Sequence, residues 1–247
     1  MEVLNFKEEE LKGFKEFNKG GYEGKILLYK PEILLKRFEP FIMPFLNMDN
    51  KKYKLIEFSK MNQLENIIAL PKQLVNIDNT FSGFTMKKYD AVTIDNLKDL
   101  NKNIDLFAKL FKNLDYLHNK DIIIIGDVKN KNILVDNNNN PIFVDVDSMG
   151  INKFPQDHID RGPAGSVRRI PNINKKFKSL DYKSLDKLLL LSLFVEKLAD
   201  NKEPMVNKIY NSSLSKEAKE IMHEYIYSDK FNYNIDLAAV FENERTR

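Results

Sequence analysis

The sequence predicts an α+β fold in which a small sheet comes first and helices form most of the remainder. Residues 1–89 hold several short apolar runs of strand length, separated by turn-forming residues. After residue 89, apolar side chains recur at spacings of three and four, which is typical of helices. A pair of short apolar runs, residues 133–135 and 142–144, interrupts the helical pattern and indicates a hairpin. We therefore expect two parts, residues 1–89 and residues 90–247.

The N-terminal part is expected to contain a sheet of about five strands. Between the third and fourth strands, Asp49 or Asn50 can cap a segment with apolar residues at helical spacing, so one helix is predicted there. The strand-like runs are residues 14–17, 26–29, 33–38, 73–77 and 83–86.

One lysine in this predicted sheet calls for a partner. Lys36 lies in the short apolar third strand, and an inward-facing lysine loses its hydration unless phosphate or carboxylate neutralises it. A solvated lysine on an edge strand is the alternative. The expected carboxylate is Glu57, which falls on the apolar face of the predicted helix, with Glu65 as the second candidate. An ordinary surface glutamate at position 57 remains the other interpretation.

Three polar residues accompany the predicted hairpin. Asp127 and Asn132 lie in the loop entering its first strand, and Asp145 follows its second strand, so all three are expected at one edge. Oxygen ligands suit Mg²⁺, which takes few protein ligands and completes its shell with water and phosphate. Asn132 and Asp145 fit that role. The third side chain, Asp127, can accept a hydroxyl proton or orient a nucleophile.

The run D-V-K-N-K-N, residues 127–132, resembles the catalytic loop of protein kinases, with Lys129 and Asn132 at the matching positions. Asp145, thirteen residues beyond Asn132, stands where those kinases have the metal-binding aspartate of the DFG motif. The resemblance implies a bilobal fold with an N-lobe built from an antiparallel β-sheet plus one helix, and a mainly helical C-lobe. It also implies ATP and Mg²⁺ as cofactors.

The resemblance further implies a role for each matching residue. Lys36 takes the place of the nucleotide lysine and holds the α- and β-phosphates, while Asn132 and Asp145 bind Mg²⁺. Asp127 orients the acceptor hydroxyl, and Lys129 stabilises the phosphoryl group in transfer.

Nucleotide-binding positions outside the catalytic loop follow from the same register. Gly21 and Gly24 match the second and third glycines of a phosphate-covering loop, although an ordinary hairpin turn is the commoner explanation of such a loop. Lys87 and Tyr89 match the hinge, where backbone groups bind adenine. Asp181 matches the aspartate that begins the central helix of the C-lobe and holds the catalytic loop by its backbone.

The sequence departs from the kinase pattern at two places. Ile-Gly, residues 125–126, replaces the usual His-Arg, and Gly126-Asp127 resembles the small-molecule branch of the same fold. The DFG motif is replaced by Asp-Val-Asp, residues 145–147. The extra carboxylate, Asp147, is either a second metal ligand or a solvated side chain.

The expected function is transfer of the γ-phosphoryl group of Mg-ATP to a Ser/Thr hydroxyl of a protein substrate. Two alternatives remain: an aminoglycoside or choline kinase-like small-molecule phosphotransferase, and a pseudokinase that serves as a binding or scaffold module. Lys129 and the short C-terminal part favour the protein kinase over the first alternative. The intact Lys36, Asp127, Asn132 and Asp145 favour it over the second.

Composition excludes several other classes. With 39 basic and 36 acidic residues the net charge is only +3, which indicates neither a nucleic-acid nor a membrane partner. Absent cysteines exclude disulfides and thiolate chemistry, and three scattered histidines do not form a zinc motif. No apolar run approaches the roughly 18 residues of a membrane helix, so we expect a cytoplasmic protein. Nothing in the sequence indicates its oligomeric state.

Overall fold

The computed structural model describes residues 1–21, 23–94, 100–124, 130–155, 175–176, 179–198, 204–228 and 235–246. For residues 19–21, 100–102 and 130 it describes the backbone alone. Within these ranges the chain combines seven α-helices with a mixed sheet of six strands, which confirms the predicted α+β class. In the same ranges no helix is both long enough and apolar enough to cross a bilayer.

The six-stranded sheet occupies the N-terminal part and has the order β1-β5-β6-β4-β3-β2. All neighbouring pairs are antiparallel except β1, which runs parallel to β5, so the expectation of an antiparallel sheet of about five strands was wrong at this edge. The first strand was not predicted because it is a mostly exposed edge strand with a weak apolar alternation. The strands are β1 Glu2–Phe6, β2 Lys15–Gly21, β3 Gly24–Lys30, β4 Ile33–Phe38, β5 Pro71–Ile77 and β6 Thr80–Lys87.

Two helices accompany this sheet, where one was predicted. A short helix, α1 (Glu8–Leu11), precedes β2, and the longer α2 (Met48–Ser59) follows β4. The side chain of Asn47 caps α2 by accepting a hydrogen bond from the Asn50 backbone N–H, at 2.9 Å, so the predicted cap at Asp49 or Asn50 was placed too late. Helix α2 packs against β5 and against the turn at residues 146–148.

The predicted hairpin is confirmed. Strand β9 (Ile133–Asp136) pairs antiparallel with β10 (Pro141–Phe143), and the backbone N–H of Val144 donates to the Asn132 carbonyl at 2.9 Å. The two open ends of the hairpin therefore meet. Strand β7 (Ala91–Thr93) joins β9, while β8 (Ile122–Ile123) pairs with β11 (Gly150–Ile151).

Helices make up most of the remaining described chain. The buried positions of α3 follow the predicted three-and-four spacing, and the central helix α4 is buried nearly all round. The rings of Phe107, Phe194 and Phe241 meet in the core, with the Phe194 and Phe241 centroids 4.6 Å apart. The helices are α3 Leu100–His118, α4 Tyr182–Lys197, α5 Met205–Asn211, α6 Lys216–Tyr227 and α7 Leu237–Arg245.

Candidate functional site

Lys36 lies on β4, in the interior of the sheet between β6 and β3. Its ammonium group forms ion pairs with Asp145, a residue 109 positions later in the chain, and with Asp147, at 2.6 Å. Because side chains alternate along a strand, Phe38 lies on the same face, and the Lys36 Nζ is 5.9 Å from its ring centroid. The lysine side chain is only 8% exposed, so the alternative of a solvated edge lysine is wrong.

Asp145 lies just beyond β10 and begins a tight turn. Its backbone is left-handed, with φ 70° and ψ 40°, a conformation that aspartate adopts more readily than most residues. The hydroxyl of Ser148 donates to Asp145 Oδ2 at 3.1 Å, while Lys36 engages Oδ1. The Asp145 side chain is 22% exposed, so part of this carboxylate faces solvent.

Asp147 is the most enclosed carboxylate of the site. Lys36 donates to its Oδ1 at 2.6 Å, and Lys51 of α2 donates to its Oδ2 at 3.1 Å. The side chain is fully buried, so the interpretation of Asp147 as a solvated residue was wrong. Both of its oxygens already accept from a lysine of the protein itself, and a role for Asp147 as a second metal ligand stays a prediction.

Lys51 connects three segments of the chain. Besides Asp147 Oδ2, its ammonium group donates to Glu23 Oε2 at 3.3 Å and to the Asp147 carbonyl at 3.4 Å. It also lies 5.6 Å from the ring centroid of Phe38. Two lysines and three carboxylates thus alternate in one network, which we call the Lys36–Lys51 network: Glu23, Lys36, Lys51, Asp145 and Asp147.

The network shifts the pKa values of two of its buried members, Lys36 and Asp147. Burial alone would lower the pKa of Lys36, but the negative charges of Asp145 and Asp147 outweigh burial and raise it. Burial alone would raise the pKa of Asp147, but Lys36 and Lys51 hold that pKa well below its usual range. Both groups are therefore charged at neutral pH.

The predicted helix partner of Lys36 was wrong. Glu57 pairs with Lys60 on its own helix and its side chain is 33% exposed, as in the alternative of an ordinary surface glutamate. Six residues separate Glu57 from Lys51, which places it roughly 120° away around the helix axis. The second candidate, Glu65, pairs with Lys72 at 2.8 Å. Lys51 occupies the position on α2 that faces the site.

Lys51 was missed although the sequence contained a signal for it. The buried residues of α2 follow the spacing i, i+3, i+4, i+7: Lys51, Lys54, Leu55 and Phe58. A lysine in line with such a stripe needs a buried anionic partner, by the same reasoning that singled out Lys36.

Asn132 and Asp145 border one pocket beside the hairpin. The pocket is open to solvent, measures about 250 Å³ with that open space included, and is also lined by Ser148. A carboxylate and an amide oxygen in a solvent-accessible pocket fit Mg²⁺ that arrives with nucleotide phosphate. In the described part of the chain no three His, Asp or Glu side chains cluster in a way that could hold a metal ion.

Asp127 and Lys129 lie at residues 125–129, outside the described residues, so both roles remain predictions. The residue just before them, Ile124, is described. Its backbone N–H donates to Asp186 Oδ2 at 2.9 Å.

Asp186, on α4, binds the backbone that leads into the predicted catalytic loop, a position that had been predicted for Asp181. The same oxygen, Oδ2, hydrogen-bonds His118 Nε2 at 3.0 Å, so α3, α4 and Ile124 meet at one carboxylate. Burial raises the pKa of Asp186, and its hydrogen bonds from His118 and Ile124 offset this only in part. Asp181 instead caps α4, accepting from the backbone N–H of Ser184 at 3.0 Å.

Of the two predicted loop glycines, Gly21 ends β2 and Gly24 begins β3, and their backbones pair across the two strands. A β-carbon at Gly24 would lie 2.5 Å from the Arg37 carbonyl oxygen, so close strand packing alone requires glycine there. The phosphate contacts of both glycines remain predictions.

The two predicted hinge residues lie at the end of β6. The Lys87 ammonium group stands 5.4 Å from the Tyr89 ring centroid, and the Tyr89 hydroxyl donates to the Glu65 carbonyl at 3.2 Å. Burial raises the pKa of Tyr89 to about 12, and the charge of Glu65 adds to the shift. The expected adenine contacts use backbone groups and remain predictions.

In comparisons with known proteins, no protein-family model matches this chain, and no curated protein matches it either. Any inference about the function of the chain therefore rests on the geometry of the site and on the motif resemblance.

Proposed function

We propose that the chain is an ATP-dependent protein kinase with a bilobal kinase-like fold, in which residues 1–89 form the N-lobe and residues 90–247 the C-lobe. One observation carries the proposal: the ammonium group of Lys36 pairs with the carboxylate of Asp145 across 109 residues of sequence. Both belong to the predicted phosphate and metal positions.

The pair suits a nucleotide site for an electrostatic reason. A largely buried lysine and a partly exposed aspartate already lie side by side, next to the pocket that Asn132 borders. Phosphate oxygens are suited to the ammonium group, and a hard cation is suited to the two oxygen-bearing side chains. Mg-ATP presents both complementary charges together.

The mechanism follows from positioning and charge neutralisation. Lys36 binds the α- and β-phosphate oxygens, and Asn132 and Asp145 hold Mg²⁺, which supplies further neutralisation of phosphate charge. Asp127 orients the acceptor hydroxyl and accepts its proton. The acceptor oxygen forms a bond to the γ-phosphorus while the bond from that phosphorus to the ADP oxygen breaks, and Lys129 stabilises the charge on the phosphoryl group.

The test incubates the purified chain with γ-labelled ATP and Mg²⁺, alone and with generic protein acceptors. We expect label on Ser/Thr of protein, reduced about 100-fold or more in Asp127→Ala and in Asp145→Ala. Asp49→Ala is the matched control, because Asp49 is exposed in the first turn of α2.

Two outcomes would overturn the proposal that the chain is a protein kinase. ATP consumption that requires an added small-molecule acceptor would identify the aminoglycoside or choline kinase-like alternative. Nucleotide binding with no transfer to any acceptor would identify the pseudokinase alternative.

A further inference from the structure

We propose that Asp147 is the positioning residue for Lys36, and that Lys51 of α2 holds Asp147 in place. The inference rests on the proposed function, because Lys36 is the nucleotide lysine of that site. It assigns a role to two residues that the proposed transfer mechanism does not use.

The two carboxylates beside Lys36 differ in their freedom. Asp145 is partly exposed and keeps one oxygen toward Ser148, whereas Asp147 is fully buried with a lysine on each oxygen. A carboxylate that faces solvent can exchange its partner for a metal ion. A buried carboxylate between two ammonium groups keeps its partners, because leaving them would strand charge in the interior.

This difference gives the two carboxylates beside Lys36 different roles: Asp145 can bind a metal ion, and Asp147 holds Lys36. When Asp145 turns to a metal ion, Lys36 loses one of its two anionic partners and keeps Asp147. A lysine side chain has four rotatable bonds and loses much conformational entropy when it is fixed. The hydrogen bond to Asp147 fixes Lys36 before the nucleotide arrives, so this entropy is not lost during binding.

Lys51 takes the place where a helix glutamate was expected, and it carries the opposite charge. A helix glutamate would contact Lys36 directly, whereas Lys51 acts on Lys36 through Asp147. Lys51 also contacts Glu23, in the turn before β3. Helix α2 is thereby coupled to the 146–148 turn and to the predicted phosphate loop through one side chain.

The test measures the affinity of a fluorescent ATP analogue in the presence of Mg²⁺. We expect Lys51→Met and Asp147→Asn each to weaken binding by about tenfold or more, the usual effect of losing a charged hydrogen bond. The double variant should bind no more weakly than either single variant, because the two residues act as a unit. Lys51→Arg, which retains the positive charge, should recover most of the affinity.

Three features keep the test independent of stability. The double variant removes one charge of each sign, so the net charge of the Lys36–Lys51 network stays as in the wild type, unlike in the single variants. Lys60→Met is the matched control, because Lys60 lies at the end of the same helix with an exposed side chain that pairs with Glu57. In steady-state transfer, KM for ATP should rise more than kcat falls, which a purely structural role would not produce.

The outcomes separate the two proposals. A wild-type chain that binds no nucleotide overturns the proposed function and the positioning role together. A wild-type chain that binds, while Lys51→Met, Asp147→Asn and their double variant bind equally well, overturns the positioning role alone. A double variant weakened by the product of the two single effects also overturns it.

Discussion

Gly83 packs directly against the backbone of Lys36: a β-carbon at Gly83 would lie 2.2 Å from the Lys36 carbonyl oxygen. The two residues belong to the neighbouring strands β6 and β4. The strand that carries Lys36 therefore depends on a glycine in its neighbour.

Gly83→Ala should force these strands apart. We expect a loss of about 1–3 kcal/mol in the free energy of unfolding, as for other overpacked sites, together with weaker nucleotide binding. Chemical denaturation measures the first effect. Gly13→Ala is the control, because the added carbon would lie an ordinary 3.6 Å from its nearest neighbour, the Glu10 carbonyl oxygen. Equal stability of Gly83→Ala and wild type would contradict the close approach.

Asp186→Ala should destabilise the protein more than Asp181→Ala. The first substitution leaves the Ile124 N–H and His118 without their shared acceptor, and we expect a cost of about 2–4 kcal/mol. The second removes a helix cap and should cost about 1 kcal/mol. Denaturation of both variants compares them. A larger loss of stability in Asp181→Ala than in Asp186→Ala would indicate that Asp181, and not Asp186, is the anchoring residue.

Tyr89 should make stability depend on alkaline pH. Its pKa in the folded chain is about 12, above the value of about 10 for an unperturbed tyrosine. The unfolded state therefore loses this proton first, so the stabilisation is complete below about pH 10 and falls as the pH rises toward 12.

Melting temperatures measured across that interval provide the check. Tyr89→Phe should lose less stability than wild type as the pH rises, because it has no phenol to ionise. Tyr210→Phe changes an exposed tyrosine and serves as the control. A Tyr89→Phe curve parallel to that of wild type would refute the assignment.

Phosphotransfer should not depend on phosphorylation of the chain itself. Residues 125–126 are Ile-Gly, so the arginine that pairs with a phosphorylated segment in the kinases it resembles is missing at this position. Turnover should be the same before and after phosphatase treatment, once the phosphatase has been removed. A treated chain that no longer transfers phosphate would show that another cation replaces this arginine.

Local sequence patterns predicted two kinds of element: those that are strongly apolar, and those whose pairing partner is near in sequence. Strand β4 has the predicted boundaries, and the hairpin of β9 and β10 follows from its Asp-Asn turn, where Asp136 accepts from the backbone of Asn138 and Asn140. Strand β1 could not be predicted in this way. Its pairing with β5 depends on residues about 70 positions away, and an exposed edge strand has little apolar pattern.

The residues of the site could be predicted where a charged side chain stands in an apolar stretch of sequence. Lys36 in an apolar strand required an anion, and Asp145 at the hairpin exit supplied one. Which residue of α2 faces the site depends on the rotation of the helix, and that choice separates Lys51 from Glu57. The anchoring carboxylate, Asp186, lies five residues from the predicted Asp181, more than one helical turn along α4.

The parallel pairing of β1 with β5 also bears on the order of folding. The side chains of Glu2 and Gln73, which are hydrogen-bonded in the finished sheet, are separated by 71 residues. During synthesis β1 leaves the ribosome long before its partner, and closing so large a loop is slow compared with forming adjacent hairpins. We expect β2, β3 and β4 to assemble first, with β1 docking late onto a sheet that already exists.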